Sequence, residues 1–219
     1  EHLAEQIATV FTEFEVTCRD WQQDGEVLIT SLGDLELLRT RFPQGEVLVH
    51  RTQQLIDYSQ RHFYYACCLL SGAATLNFQG SQAVLQPRDI ALIDSAQEYL
   101  MANSGSFDAI WIALPRHRLE GRIANLSGIV GARIVGQSGS GRLASVLIQE
   151  IEQQAPALTE ESGMRLANAL LDLLAGAAPI TAERALSRSD QLLRRIHHYI
   201  EERLTDSTLS PQTVATAHA

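Results

Sequence analysis

With only three cysteines, two tryptophans and no surplus of positive charge, this 219-residue chain rules out several classes of protein at once. Cys18, Cys67 and Cys68 are odd in number and show no C-x-x-C spacing, so neither a zinc pair nor a secreted disulfide framework fits them. Cys67 and Cys68 are neighbours, and on a strand they would point to opposite faces, which argues against a bond between them. Buried, reduced thiols are expected. Lys and Arg number 17 against 26 Asp and Glu, a net charge of −9. Such a surface does not suit a polyanion, so any nucleic-acid contact has to be local or lie outside this segment. The longest apolar run, 167–180, is interrupted by Asn168, Asp172 and Pro179 and falls short of the ~20 residues of a membrane helix. No basic and apolar leader opens the chain; Glu1 to Phe14 reads as a polar amphipathic helix, and a cytoplasmic protein is expected.

Catalytic signatures are equally scarce. Gly136-Gln137-Ser138-Gly139-Ser140-Gly141 resembles a phosphate loop at first sight, but no Lys follows, and Ser140 stands where a nucleophile elbow needs its second glycine. The stretch reads as a flexible joint. A metal held inside a β-barrel usually needs two histidines one residue apart on a strand, and no H-x-H occurs. His50 and His62 stand alone, and His197 and His198 sit about 100° apart on a helix, too far round to share a metal easily. Neither metal nor cofactor is expected, and the chain does not read as an enzyme. The alternative to be weighed is a cupin-fold metal-dependent enzyme, an isomerase or dioxygenase, with unrecognised ligands.

What is present changes character near residue 138. Before it, β-like runs cover 27–30, 35–40, 47–51, 63–70, 74–78, 83–85, 90–94 and 109–114, separated by turn signals such as Asp24-Gly25, Ser71-Gly72 and Pro87-Arg88. Short strands spaced by turns predict an antiparallel sandwich or barrel rather than βαβ units. His50 and Arg51, Tyr64 and Tyr65, and Trp111 lie on these strands, and one of each adjacent pair has to point inward. A mostly aromatic lining with a few polar groups is what small-molecule binding needs, so these five are the candidate ligand residues.

After residue 138 the period is helical. Leu143, Val146, Leu147 and Ile151 form one stripe; Met164, Ala167, Leu170, Leu171 and Leu174 form a second. Leu192, Ile196, Tyr199, Ile200 and Arg203 form a third, edged by Arg188, Arg194, Arg195 and His198. The first two stripes cover the barrel, and an apolar ridge of Leu143, Leu147 and Ile151 left over would pair with its copy in a homodimer. The expected organisation is a sensor barrel with an N-terminal helix over 1–137, a helical pair over 138–178, a linker over 179–190 and the start of another domain over 191–219. Ser210 followed by Pro211 is a helix opening, a hydroxyl cap and then a residue whose fixed φ suits the first turn; Val214 continues it.

Two stretches together resemble a known family. FYYACCLLSGAATLNFQGSQAVLQPRDIALID, 63–94, is similar to the sensor domain of AraC/XylS-type bacterial transcription regulators: a strand ending in L-S-G, a Q-x-G turn, then P-G-D opening an I-x-L-x-D strand. FDAIWIALPRHRLEGRI, 107–123, matches the strand, L-P-R and helix that come next. RRIHHYIEERLTDSTLSPQTVATAHA, 194–219, resembles the opening of that family's helix-turn-helix domain at Ile196, Tyr199, Ile200, Leu204, Asp206, Leu209, Ser210, Val214 and Ala215. More narrowly, the likeness is to the FeaR-like group, regulators of aromatic-amine and related catabolic operons. The resemblance implies a cupin-like antiparallel β-barrel followed by helices, mainly β plus α. It implies a small-molecule effector, aromatic or carboxylate-bearing, a homodimer, and DNA and RNA polymerase as partners of the whole regulator. The recognition helix would come after the positioning helix that Ser210 caps. Arg88 replaces the glycine of P-G-D, which implies an altered turn or a basic group aimed at a pocket or partner.

Overall fold

The computed structural model describes residues 11–19, 26–123, 126–177 and 210–213, within two units, Glu1–Pro179 and Ile180–Ala219. In the first, eleven strands are described: β1 (Glu15–Arg19), β2 (Glu26–Leu32), β3 (Leu35–Phe42), β4 (Glu46–Arg51), β5 (Phe63–Ser71), β6 (Ala74–Phe78), β7 (Ser81–Leu85), β8 (Ile90–Asp94), β9 (Tyr99–Ser104), β10 (Phe107–Pro115) and β11 (Arg133–Ile134). They form two antiparallel sheets around one apolar core, in the orders β1-β4-β9-β6-β7 and β11-β8-β5-β10-β3-β2. All eight expected strands are present. β1, β9 and β11 were not anticipated, nor was the short helix α1 (Gln53–Tyr58), whereas α2 (Arg116–Glu120) is the helix that the match over 107–123 implies.

Burial follows from position in the stack. β6 alternates buried and half-buried residues, the pattern of a strand with one covered face. β5 is buried almost throughout, because it lies at the middle of a sheet covered on both sides. One side carries Tyr65, Cys67 and Leu69, the other Tyr64, Ala66 and Cys68, and the Cys68 thiol meets the Ser145 hydroxyl of a helix at 3.5 Å. Cys67 and Cys68 are buried free thiols as expected; Cys18 is exposed on β1. The Phe11–Phe14 segment is not helical but enters β1, which corrects the C-terminal part of the expected opening helix. Residues 1–10 lie outside the described residues.

Two longer helices, α3 (Gly139–Gln154) and α4 (Glu160–Ala177), cover the second sheet. α4 buries Ala167, Leu170, Leu171 and Leu174 of the expected stripe and leaves Met164 partly exposed. On α3 the buried face is Gly141, Ala144, Ser145, Ile148, Ile151 and Glu152. The expected ridge is therefore split: Ile151 is core, Leu143 is 60 % exposed, and Leu147 is half-buried. Glu152 is drawn inward by Arg39 of β3, whose Nη1 donates to both of its carboxylate oxygens at 3.1–3.2 Å. The same guanidinium holds Asp108 of β10 through Nε and Nη2, at 3.1 and 3.0 Å.

The glycine-rich stretch before α3 is a packed turn rather than a flexible joint. A Cβ on Gly136 would lie 1.6 Å from the Arg88 carbonyl oxygen, and Gly139 takes φ +55°. The Gly136 N–H donates to Asp89 Oδ1 at 3.1 Å. Arg88 itself adopts φ +78°, in the left-handed region that favours glycine, and its side chain is exposed.

In the second unit, Ser210 Oγ accepts from the Thr213 N–H at 3.2 Å and Thr213 Oγ1 accepts from the Ser210 N–H at 2.9 Å. This reciprocal cap opens a helix at Pro211, as Ser210-Pro211 predicts. Val214, the third stripe and the 179–190 linker lie outside the described residues.

Candidate functional site

Strand alternation separates the five candidate residues. On β4, Arg51 turns inward and is fully buried, whereas the preceding His50 is exposed on the outer face and leaves the site. On β5, Tyr65 is inward and Tyr64 faces the helices. The Tyr64 ring lies under the Arg116 guanidinium at 4.4 Å; its hydroxyl accepts from Arg116 Nη2 at 2.7 Å and donates to Glu120 at 3.3 Å. Arg116 also donates to Asp94 at 2.6 Å. This cluster pins α2 to the sheet. Burial, then the neighbouring Asp94 charge, pushes the Tyr64 phenol up to about 12.

Arg51 and Tyr65 come together. Arg51 stands opposite Tyr99 in the β4–β9 register. Its Nε donates to the Ser95 carbonyl at 3.1 Å and its Nη1 to the Glu13 carbonyl. The Glu13 carboxylate is 3.8 Å from Nη1, and Nη2 has no hydrogen-bond partner. Tyr65 accepts from the Thr12 N–H at 2.7 Å, donates to Thr12 Oγ1 at 2.9 Å, and stacks on Phe11 with centroids 4.7 Å apart. Burial raises the Tyr65 phenol, and the Thr12 bonds pull the other way. Burial also raises Tyr99. Both rings therefore stay neutral at ordinary pH, and Arg51 is the cation among them.

Trp111 lies further along the same inner face, opposite Cys67 and Leu38, half-buried, with its indole N–H donating to Thr40 Oγ1 at 3.0 Å. Asn103 on β9 is buried with its Nδ2 unpartnered. Outside the Arg51 cluster, Thr12, Glu13, Tyr58, Ser59, Gln60 and Arg61 line a cleft of about 360 Å³. Thr12 and Glu13 belong to the segment expected to be helical, Tyr58 ends α1 and 59–61 belong to the α1–β5 connection, so neither stretch carried a signal for a site. Burial also holds the Cys67 and Cys68 thiols up, Cys68 to about 11, which makes them poor nucleophiles. Among the described residues no three His, Cys, Asp or Glu side chains gather as a metal site would require, and no helix is long and apolar enough to cross a membrane.

The chain is 25% identical over 193 residues to the transcriptional activator NphR of a Rhodococcus species, an alignment covering 84% of this chain and 56% of that protein. It thus spans little more than half the length of this curated relative. The crystal structure of the AraC-like transcriptional activator CuxR overlays with a TM-score of 0.72 at 17% identity, covering 97% of this chain and 77% of that one. A cupin superfamily protein from Desulfitobacterium hafniense overlays on 43% of this chain and 80% of that one, at 16% identity and a TM-score of 0.35. The mainly β architecture, two antiparallel sheets followed by helices, agrees with the mainly β plus α fold that the sequence motifs imply. Residues 3–177 match the AraC-binding-like domain over most of the chain's length, and the protein belongs to that family.

Proposed function

We propose that this chain is the effector-sensing part of an AraC-type transcription regulator, a binding rather than a catalytic domain. Its occupancy biases a DNA-binding domain that begins within 191–219. The observation that carries the reading is Arg51, a fully buried cation with an unpartnered Nη2, set among Tyr65, Tyr99 and Thr12 on the inner face of the sheets. A buried guanidinium is expensive to desolvate and needs its donors satisfied, so a spare N–H beside aromatic rings is a place for a ligand acceptor. Effector binding then acts as a population shift between arrangements of sensor and DNA-binding parts. The family resemblance, and the printed names of NphR and CuxR, support this reading.

Dimerisation belongs to the same proposal, with a revised surface. Leu143 and Val146 are 60 % and 40 % exposed on α3, with Leu147 half-buried beside them. A self-complementary ridge of this kind suits a two-fold interface. Leu143→Glu is expected to convert a dimer to a monomer in sedimentation velocity; an unchanged sedimentation coefficient refutes the ridge. The sensor reading is tested by melting the chain against phenol, aniline, benzoate and benzamide. At least one saturable rise in Tm is expected, and none across the panel counts against a small aromatic effector.

A further inference from the structure

The chain is acidic overall, but its acid is not spread evenly. Residues 81–88 and 131–149 hold Arg88, Arg133 and Arg142 and no Asp or Glu. Folding brings these two stretches together. β11 lies beside β7, and Gln137 Nε2 donates to the Pro87 carbonyl at 2.9 Å. The first turn of α3 packs so closely on Val135 that a Cβ on Gly141 would lie 2.3 Å from the Val135 carbonyl oxygen. The carboxylate next in the chain, Asp89, is fully buried. Arg133 Nε lies 2.6 Å from it, and the Gln86 and Gly136 N–H groups donate to it at 2.8 and 3.1 Å.

The other two cations are free. Arg88 and Arg142 are exposed, and neither guanidinium makes a hydrogen bond or ion pair with another described residue. Elsewhere, every described arginine except Arg19 is engaged by a carboxylate, a carbonyl or a ring. Arg88 also holds φ +78°, where a glycine would be unstrained. Backbone strain at a residue whose side chain supports nothing in the fold points to a use for that side chain outside it. Beside these cations Val84 and Val135 are 51 % and 47 % exposed, so two aliphatic side chains stand in water next to unpaired positive charge.

We propose that this surface docks an acidic, amphipathic segment of another protein, with carboxylates on Arg88 and Arg142 and aliphatic side chains on Val84 and Val135. Charge complementarity selects the occupant. Two free cations on a chain of net charge −9 are too few for the phosphate row of a duplex, which carries about one charge per 1.7 Å, and exposed valines gain nothing against phosphate. A second copy docked face to face by a two-fold axis would set arginine against arginine. The surface adjoins the Leu143 ridge without using it and lies apart from the residues around Arg51. The proposal therefore goes beyond the sensing and dimerisation readings and stands or falls without them.

The probe is a fluorescein-labelled peptide of sequence EELLEELLEELL, followed by fluorescence anisotropy on the 219-residue chain. A saturable rise is expected, weakened several-fold between about 50 and about 300 mM salt. Affinity is expected to fall about threefold in Arg88→Gly, which removes the cation and relaxes the turn, and about tenfold in Arg88→Glu and Arg142→Glu. Arg19→Glu makes the same change of net charge at a free arginine on β1, and is expected to leave affinity within about twofold. Because Arg88 and Arg142 lie on different segments, poor folding of one variant leaves the other to decide. Absence of saturable binding overturns the proposal, as does a loss in Arg19→Glu equal to that in Arg142→Glu, which would reflect the general field of the chain. Equal binding of EEGGEEGGEEGG removes the role of the valines, and equal binding of KKLLKKLLKKLL removes that of the arginines; either result overturns the proposal. A labelled DNA duplex that binds more tightly than the peptide, and is lost in the same variants, overturns it in favour of nucleic acid.

Discussion

Arg39→Met removes a cation that ties α3 to the sheet. In the native chain, Arg39 serves two carboxylates that are nearly out of water, Asp108 at 13 % and Glu152 at 7 % side-chain exposure. Removing one partner of a buried pair costs roughly 3–5 kcal/mol, because the remaining charge stays desolvated and uncompensated. Two features lower that figure here. Arg39 is itself a quarter exposed, and Asp108 keeps a contact from Arg41 Nε at 3.2 Å. A loss of about 2–3 kcal/mol is expected, which at an m-value of about 2–3 kcal/mol/M moves the urea midpoint down by about 1 M. Glu152→Gln should cost less, about 1 kcal/mol, since an amide oxygen still accepts from Nη1 and Arg39 still has Asp108. Arg39→Met combined with Glu152→Leu should be more stable than Arg39→Met alone, because the stranded charge is gone. Urea unfolding followed by far-UV circular dichroism measures all three. If Glu152→Gln is as costly as Arg39→Met, or if the double change is no more stable than Arg39→Met alone, the stranded-charge argument is wrong.

Three further outcomes follow from single features. Arg88→Gly should stabilise the fold by about 0.5–1 kcal/mol: it removes the left-handed strain of a non-glycine residue at φ +78°, partly offset by the freer unfolded chain. A lower urea midpoint would mean that the Arg88 side chain does structural work. Ellman's reagent should titrate one thiol, Cys18, in the native chain and all three in urea, since Cys67 and Cys68 are buried; three fast thiols in buffer would refute that burial. Stability should fall as the solution becomes alkaline. Cys68 is raised from 9.0 to about 11 and Tyr64 from 10.0 to about 12, so the folded state holds both protons more tightly than the unfolded one. That stability is fully present below about pH 9, is lost as pH rises through the 9–12 window, and is read as a declining urea midpoint. A midpoint flat to pH 11 contradicts it.

The sequence by itself was enough for the architecture, and the reason is local. Eight strands were legible because their apolar runs are bounded by turn dipeptides, and the α4 face was legible because Ala167, Leu170, Leu171 and Leu174 are apolar at helical spacing. The cap at Ser210 was legible because donor and acceptor lie three residues apart. Elements whose order depends on a distant partner were hidden. β1 pairs with β4, and β9 lies between β4 and β6, yet neither strand carries a strong β pattern of its own. Alternation put one of His50 and Arg51, and one of Tyr64 and Tyr65, on the inner face without saying which, since a one-residue change of phase exchanges the faces. Only the tertiary structure chose Arg51 and Tyr65, because Glu13, Ser95 and Thr12 receive them there. It likewise turned Ala144, Ser145 and Glu152 of α3 inward ahead of Leu143. A carboxylate is buried in preference to a leucine where an arginine 113 residues away in the chain is waiting to pair with it.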